Sequence, residues 1–210
     1  MRFLTRESKP AILAAKGAAW TARWVQRRQV YNASTDPNKK APQFAWPTTD
    51  GTRLNLLLLP SLKAQTQDHC SFCDSYPVEP PGKDTIEHFK PKTTFPEDAY
   101  AWGNLFFCCP CCQDAKKENY DALLLKPDAG GYAFDDWFLA DLTNGEMQPH
   151  PKLAGEKLER AKKTIELYGL DSEEQRSARR LWIHQHGPQL SASVRKSDAV
   201  PYREWLGQLP

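Results

Sequence analysis

The sequence predicts an α+β protein in which a small core, clipped together by a four-cysteine zinc site, carries helical flanks on both its N-terminal and C-terminal sides. All six cysteines fall between residues 70 and 112, and apolar residues recur at helical spacings before and after them. With 210 residues, 40% of them hydrophobic, the chain can bury one sizeable core. We expect a basic helical region over 1–67, the zinc-clipped core over 68–122, and short strands followed by helices over 123–210.

The N-terminal region is expected to begin with one long helix. Ser8 followed by Pro10 is typical of a helix start, and apolar residues then recur at spacings of three and four to about Arg28. Prolines and glycine mark residues 32–51 as a loop. A short helix over 60–67 then leads to the first cysteines.

The region after the core predicts short strands and then helices. Extended segments are expected at 123–125 and 132–139, and Asn144–Gly145 indicates a tight turn. Two helices follow, the first ended by Gly169 and the second capped by Asp171. A last docked turn of helix is expected at three apolar residues near the end of the sequence, Tyr202, Trp205 and Leu206.

Charge is distributed unevenly along the chain, although the formal net charge is only +2. Residues 1–63 carry eleven Lys/Arg against three Asp/Glu, whereas residues 64–210 carry 17 against 23. This asymmetry indicates a surface that faces an acidic partner, either nucleic acid or an acidic protein. The alternative is a basic helix face that is simply solvated. No apolar stretch approaches the ~18 residues that span a bilayer, and the first residues lack the pattern of a signal peptide. We therefore expect a cytoplasmic protein with no membrane partner, in which clustered cysteines indicate metal.

Two close groups of cysteines predict a tetrahedral zinc site. Cys70 and Cys73 form one CxxC knuckle, and a second group about 35 residues later comprises Cys108, Cys109, Cys111 and Cys112. Spacing alone allows either of two second pairs, Cys108 with Cys111 or Cys109 with Cys112. Free buried cysteines are the alternative, but they seldom cluster as four in five positions. We expect one zinc ion to close the long loop between the knuckles.

Residues between and after the knuckles supply the groups of a hydrolytic metal site. Glu87 offers a hard oxygen ligand for Mg²⁺ beside His88, a base with a pKa near neutral, while Asn104 and Gln113 offer further oxygen ligands. Adjacent residues of a strand point to opposite faces, so Glu87 and His88 share a site only if the strand ends there, as Pro91 favours. The lysines that can hold phosphates, or can equally be solvated surface residues, are Lys90, Lys92 and Lys116.

These motifs resemble those of HNH endonucleases, which have the ββα-metal fold. The matching elements are two CxxC knuckles, Glu-His with a following Pro, Asn-Leu, and a Lys four residues after the second knuckle: Cys70–Cys73, Glu87-His88 with Pro91, Asn104-Leu105, Cys109–Cys112 and Lys116. The segment Glu-His-Phe-Lys-Pro-Lys at 87–92 is similar to the HNH (PtuB-like) subunits of Septu-type and retron-associated antiphage systems. The Phe44-x-Trp46 element and the sequence Leu-Tyr-Gly-Leu-Asp at 167–171 are similar to that group too.

The resemblance implies roles for individual residues. Family spacing selects Cys109 and Cys112 as zinc ligands with Cys70 and Cys73, leaving Cys108 and Cys111 to pack. His88 would be the general base, Glu87 would bind a catalytic Mg²⁺ or Mn²⁺, and Asn104 would hold the loop that positions His88. The family usually has Asn or His where this chain has Gln113, so the last metal ligand is either Gln113 or Asp114.

The resemblance also implies partners. These are nucleic acid (DNA or RNA), a PtuA-like ATPase subunit and, in a retron-associated system, a reverse transcriptase with its RNA and DNA. We expect Trp20, Trp24 and the C-terminal helices to offer apolar surface for docking the ATPase. The alternative functions are a zinc-stabilised adaptor without catalysis and a solitary restriction-type HNH nuclease.

Overall fold

Helices and three two-stranded antiparallel sheets make up the fold, in agreement with the predicted α+β class. The computed structural model describes residues 1–78, 85–195 and 197–208; residues 79–84 of the predicted core lie outside the described residues. The helices are α1 (Ala11–Ala33), α2 (Leu54–Thr66), α3 (Pro110–Lys116), α4 (Phe134–Trp137), α5 (Gly155–Leu167), α6 (Glu173–His186), α7 (Ala192–Arg195) and α8 (Arg203–Gly207). The strands are β1 (Thr48–Thr49), β2 (Thr52–Arg53), β3 (Thr85–His88), β4 (Leu105–Cys108), β5 (Phe138–Ala140) and β6 (Met147–Pro149), and they pair in consecutive order. Single 3₁₀ turns lie at Pro96–Asp98, Trp102–Asn104 and Gly187–Gln189.

Helix α1 is longer than the sequence predicts. It begins at Ala11, with Pro10 rather than Ser8 at the N-cap position and no side-chain capping bond, and it continues to Ala33 instead of ending near Arg28. Its buried stripe is Leu13, Gly17, Trp20 and Trp24. Because Trp20 and Trp24 are only 8% and 3% exposed, they belong to the core and do not form the docking surface that we expected. No helix among the described residues is long and apolar enough to cross a membrane.

Helix α2 begins at Leu54, well before the predicted start at Pro60, and contains Pro60 in its interior. An interior proline costs a helix ~3 kcal/mol because it cannot donate the backbone hydrogen bond. Leu54, Leu58 and Leu62 are fully buried on one face, and each such burial contributes about 1.5–3 kcal/mol. The gain from burial therefore exceeds the cost of the proline, and the helix extends through it.

The C-terminal region departs from the prediction at three places. Residues 123–125 form no strand, because the Leu125 N–H donates to Thr164 Oγ1 of α5 at 2.9 Å instead of to a neighbouring strand. The segment 132–139 contains α4 and only the first part of β5. Helix α6 is capped by Ser172, whose hydroxyl accepts the Gln175 N–H, and not by Asp171.

The turn predicted at Gly145 and the helix end predicted at Gly169 are both present. Gly145, in the turn between β5 and β6, has φ +76°, and Gly169, after α5, has φ +58°. Both conformations favour glycine, since other residues meet steric strain there. At Gly145 a Cβ would also clash with the Arg176 carbonyl oxygen.

One hydrophobic core contains residues from all three predicted stretches, among them Leu13, Phe106 and Trp205. Phe72, inside the first knuckle, stacks on Tyr168 with ring centroids 3.8 Å apart. Each end of the described chain is thus packed against the cysteine-rich middle.

A buried ion pair joins the last helix to the first knuckle. The Arg203 guanidinium donates to both carboxylate oxygens of Asp74, with Nη2–Oδ1 at 2.6 Å and Nε–Oδ2 at 3.3 Å. The Arg203 backbone N–H donates to Asp74 Oδ2 as well, at 2.7 Å. Both side chains are 4% exposed, so a buried ion pair binds α8 to the residue directly after Cys73.

Candidate functional site

Four cysteines converge on one point of the core. The ligand atoms of this group lie within 4.8 Å of one another, and all four residues are buried: Cys70, Cys73, Cys109 and Cys112. The sulfurs of Cys73 and Cys109 are 3.6 Å apart, close to the ~3.8 Å edge of a tetrahedron with metal–sulfur bonds of about 2.3 Å. The group is therefore positioned to bind a metal ion such as zinc.

The other two cysteines lie outside this group. Cys108 is buried beside it, with its thiol on the Cys109 carbonyl oxygen, and Cys111 is exposed, with its thiol 3.4 Å from Glu174 Oε1. Of the two pairings that spacing allows, Cys109 with Cys112 is therefore the pair that joins Cys70 and Cys73.

The surroundings of the cysteine group fit a cation bound by thiolates. The Cys109 N–H donates to Cys70 Sγ at 3.3 Å, and Gln175 Nε2 donates to Cys112 Sγ at 3.7 Å. Burial acts to raise the pKa of Cys70, but hydrogen bonds from the neighbouring thiols hold it well below its usual value, whereas these contacts and burial raise the pKa of Cys112. The hydrogen bonds within the group thus favour the thiolate at Cys70 over the one at Cys112, and a divalent cation would allow all four to be thiolates.

A strand pair followed by a helix carries the remaining predicted site residues. In the β3–β4 pair, Glu87 lies opposite Phe106 and His88 opposite Leu105. Helix α3 follows β4 after one residue, Cys109, whose sulfur caps the helix by accepting the Cys112 N–H. The cysteine group therefore fixes the start of the helix that faces β3.

Glu87 and His88 line one cavity although they are neighbours in a strand. Strand β3 ends at His88, so the alternation of its side chains ends there too. The cavity has a volume of about 400 Å³, and six of its lining residues are Glu87, His88, Lys92, Gln113, Asp114 and Lys117. Gln113 donates to the Ile86 carbonyl oxygen at 3.2 Å, and its amide is close enough to Glu87 to act to lower the pKa of that carboxyl.

The His88 imidazole is held in one orientation and is neutral. Its Nε2 lies 3.0 Å from the Ala99 carbonyl oxygen, and its ring stacks on Trp46 with centroids 5.4 Å apart. Because a carbonyl oxygen only accepts, Nε2 carries the proton and Nδ1 carries the lone pair. Burial, reinforced by the positive charge of Lys92, lowers the pKa of His88 to about 3. His88 is therefore uncharged at neutral pH, with no proton on Nδ1.

Asn104 uses its side chain to tie a loop together. Its Oδ1 accepts the Lys90 N–H at 2.7 Å, and its Nδ2 donates to the carbonyl oxygens of Lys90 and Asp98, both at 3.0 Å. Since these bonds are all to backbone, Asn104 is placed to hold the loop after β3. The same loop supplies the carbonyl of Ala99 that orients His88.

Lys116 lies in a different place from the one we expected. It is fully buried, and its Nζ donates to Glu87 Oε1 at 2.6 Å and to the His88 carbonyl oxygen at 3.0 Å, so it faces Glu87 rather than a phosphate at the surface. Burial raises the pKa of Glu87, while the positive charge of Lys116 opposes that rise. Because Lys116 follows Cys112 by one helical turn, both lie on the inner face of α3.

The other predicted lysines differ in their placement. Lys92 lines the cavity but is paired with Glu118 at 2.8 Å, and Lys90 is paired with Asp98 at 2.9 Å, away from the cavity. The exposed lysine at the cavity is Lys117, which sequence reasoning missed. Lys117 directly follows the last residue of α3, and no pattern in the sequence indicates its place at the cavity.

Trp46 is the second residue at the site whose role sequence reasoning missed. It was noted as part of an aromatic pair, but nothing in the sequence indicates that it stacks on His88. Comparison with known protein families and with curated proteins finds no match.

Replacing Lys116 by Met tests whether this lysine is structural. The change leaves Glu87 buried without its partner, and breaking a buried ion pair in this way costs about 3–5 kcal/mol. We expect the free energy of unfolding, measured by urea denaturation, to fall by that amount. Lys117→Met, at the next and exposed position, is the control and should change it by no more than about 0.5 kcal/mol. Equal effects of the two substitutions would contradict the buried placement of Lys116.

Proposed function

We propose that the chain is a metal-dependent endonuclease of the HNH type, with β3, β4 and α3 as its ββα-metal core. The observation that carries the proposal is the pair Glu87 and His88, which share one cavity at the end of β3. A neutral, oriented imidazole beside a buried carboxylate is the arrangement that metal-assisted hydrolysis requires, and a binding module has no need of it.

The residues of the cavity fit a bound Mg²⁺ or Mn²⁺. Glu87 would hold it through Oε2, since Lys116 bonds to Oε1, and Gln113 or Asp114 would supply a second oxygen. Such an ion would stabilise negative charge on a phosphate oxygen and on the leaving 3′ oxygen. Zinc at the cysteine group would be structural, because its four thiolates leave no open position.

The proposed reaction uses His88 as general base. His88 Nδ1 takes a proton from water while the water oxygen forms a bond to phosphorus, and the bond between phosphorus and the 3′ oxygen breaks. A solvent proton completes the 3′-hydroxyl. Asn104 and the Ala99 carbonyl act on this step only by holding the imidazole. The 2′-hydroxyl takes no part, so DNA and RNA can both be substrates.

The proposal is tested by cleavage of supercoiled plasmid and of structured RNA by the zinc-loaded chain. We expect cleavage with Mg²⁺ or Mn²⁺, none with EDTA, and ends with a 5′-phosphate that a ligase rejoins without prior phosphorylation. Glu87→Gln keeps the shape of the side chain but removes its charge. The substitution should raise the Mg²⁺ concentration for half-maximal cleavage at least about tenfold. Residues that only hydrogen-bond to a metal ligand already contribute about that much to metal affinity, and Glu87 is proposed to be a ligand itself.

Glu97→Gln is the matched control for that substitution, because Glu97 is exposed and lies outside the cavity. Products with a 2′,3′-cyclic phosphate, or cleavage that continues in EDTA, would contradict the mechanism. Absence of cleavage by a chain that still binds nucleic acid would favour the zinc-stabilised adaptor instead.

The resemblance to PtuB-like subunits extends the proposal to antiphage defence together with a PtuA-like ATPase. With Trp20 and Trp24 in the core, exposed apolar side chains that such a partner could contact include Leu181 on α6, which is 58% exposed. A solitary nuclease is the alternative. Co-purification with a PtuA-like ATPase, and cleavage assays with and without ATP, distinguish the two.

A further inference from the structure

The cavity at His88 has no surplus of positive charge with which to hold a nucleic-acid strand. Lys92 and Lys117 at its rim are balanced by Asp114 and Glu118, and Lys92 is already paired with Glu118. Glu87 lies deeper, paired with Lys116. If the cavity cleaves a phosphodiester, as proposed above, the phosphates on either side of the cleaved one need another surface.

Such a surface lies at the end of α1. Arg27, Lys39 and Lys40 are exposed and line one groove of about 410 Å³, together with Tyr31. We call these four residues the basic groove. In the described residues, 1–78, 85–195 and 197–208, the ion pairs that involve the first 60 residues are those of Arg2 and Arg6. Within these residues, therefore, no ion pair neutralises the three cations of the groove. Arg23 extends the positive charge by one helical turn along α1.

A continuous set of contacts connects the basic groove with the catalytic cavity. The Arg27 guanidinium lies 5.6 Å from the Trp24 ring, and Trp24 Nε1 donates to the Lys92 carbonyl oxygen at 2.6 Å. Trp24 also packs edge-on against Phe44 at 5.2 Å, and Phe44 packs against His88 at 5.4 Å. The basic groove and the cavity thus lie on either side of the same aromatic contacts.

Tyr31 gives the groove a second property of nucleic-acid sites. Lys39 Nζ lies 4.8 Å from its ring centroid and the Arg28 guanidinium 5.4 Å, so cations surround an aromatic ring in the groove. Basic side chains that follow a phosphate backbone, interleaved with rings on which bases stack, are typical of sites for single strands. Lys39 is held in place by hydrogen bonds from its Nζ to the carbonyl oxygens of Tyr31 and Ser34.

We propose that the basic groove binds the phosphodiester backbone of the substrate strand outside the cleaved linkage. The inference rests on the proposed function, because the strand in the groove is taken to be the one that the cavity cleaves. Binding of nucleic acid to the groove can still be tested without any cleavage. The shared chemistry of DNA and RNA, a chain of phosphates carrying bases, is what the groove recognises.

The test measures binding of fluorescent 20-nucleotide DNA and RNA strands to the full zinc-loaded chain, without Mg²⁺, over a range of salt concentrations. The variant is the triple substitution Arg27→Gln, Lys39→Gln and Lys40→Gln. The control removes three exposed lysines elsewhere, Lys152→Gln, Lys157→Gln and Lys162→Gln, and so changes the net charge equally. Zinc content and thermal unfolding verify that both variants are folded.

We expect the groove variant to bind the strands at least roughly tenfold more weakly near 0.1 M salt. The slope of log affinity against log salt concentration should also fall by about two units, because each phosphate contact with a single strand contributes ~0.7 to that slope. The control should retain the slope. Equal slopes for wild type and groove variant would overturn the inference even if the chain cleaves nucleic acid, and so would an equal loss in the control. A selective loss of binding in a chain that does not cleave would support the groove while contradicting the endonuclease.

Discussion

Replacing Cys73 by Ser should leave most of the chain unfolded and free of zinc. Cys73 is 1% exposed, its sulfur touches that of Cys109, and Asp74 beside it anchors α8. Metal binding at four thiolates is largely folding free energy, about 10 kcal/mol or more, which is comparable to the whole stability of a domain of this size. The expected results are loss of the metal by elemental analysis and loss of the cooperative unfolding transition.

Two other cysteines provide controls of the same chemical type. Cys111→Ser, at an exposed position outside the cysteine group, should keep one zinc per chain and unfold like the wild type. Cys108→Ser should also keep zinc but lose some stability, because it places a hydroxyl in a buried site. If Cys108→Ser lost the metal and Cys73→Ser retained it, the assignment of the four ligands would be wrong.

Removal of the His88 imidazole should abolish cleavage while the fold and the zinc remain. General-base catalysis typically contributes ~10²–10⁴-fold to a rate, so we expect a loss of that size in the cleavage of plasmid or RNA. His88→Gln is the sharpest substitution. An amide can still donate to the Ala99 carbonyl oxygen and fill the space against Trp46, but it cannot take a proton from water. His88→Ala should lose cleavage too, and it also opens a hole in a site where the ring is only 6% exposed.

His184→Gln, an exposed histidine on α6, is the matched control and should cleave like the wild type. Zinc content and the urea midpoint distinguish a chemical defect from a folding defect. A zinc-loaded His88→Gln chain that cleaves at the wild-type rate would exclude His88 as the base, and with it the endonuclease proposal.

Local patterns in the sequence predicted the elements that depend on local chemistry. The turn at Gly145 and the end of α5 near Gly169 are present because backbone with positive φ selects glycine. Elements decided by packing were predicted less well. Leu124 and Leu125 are buried, as their apolar character indicates, but their partner is α5 and no strand forms. The helix predicted to start at Pro60 starts at Leu54 instead, because the core buries Leu54 and Leu58 on the inner face of α2.

In the candidate site, too, local sequence patterns predicted some features, whereas features set by packing were not predicted. The cysteine spacing, once a family resemblance chose between two registers, indicated the four residues that converge. The interior position of Lys116 was not predicted, because a lysine is ordinarily a surface residue and only its spacing from Cys112 shows that it lies on the inner face. The stacking of Trp46 on His88 joins residues 42 positions apart, and no local pattern reports a contact of that kind.

The bond between Arg203 and Asp74 has a consequence for the synthesis of the chain. The two residues are 129 positions apart, so Asp74 is made well before the side chain that neutralises it. At a translation rate of about 5–20 residues per second, the first knuckle waits at least roughly six seconds on the ribosome for α8. During that time its thiols are open to metal, to oxidants and to the wrong partners. A metal ion bound by the four cysteines would protect these thiols until α8 is made.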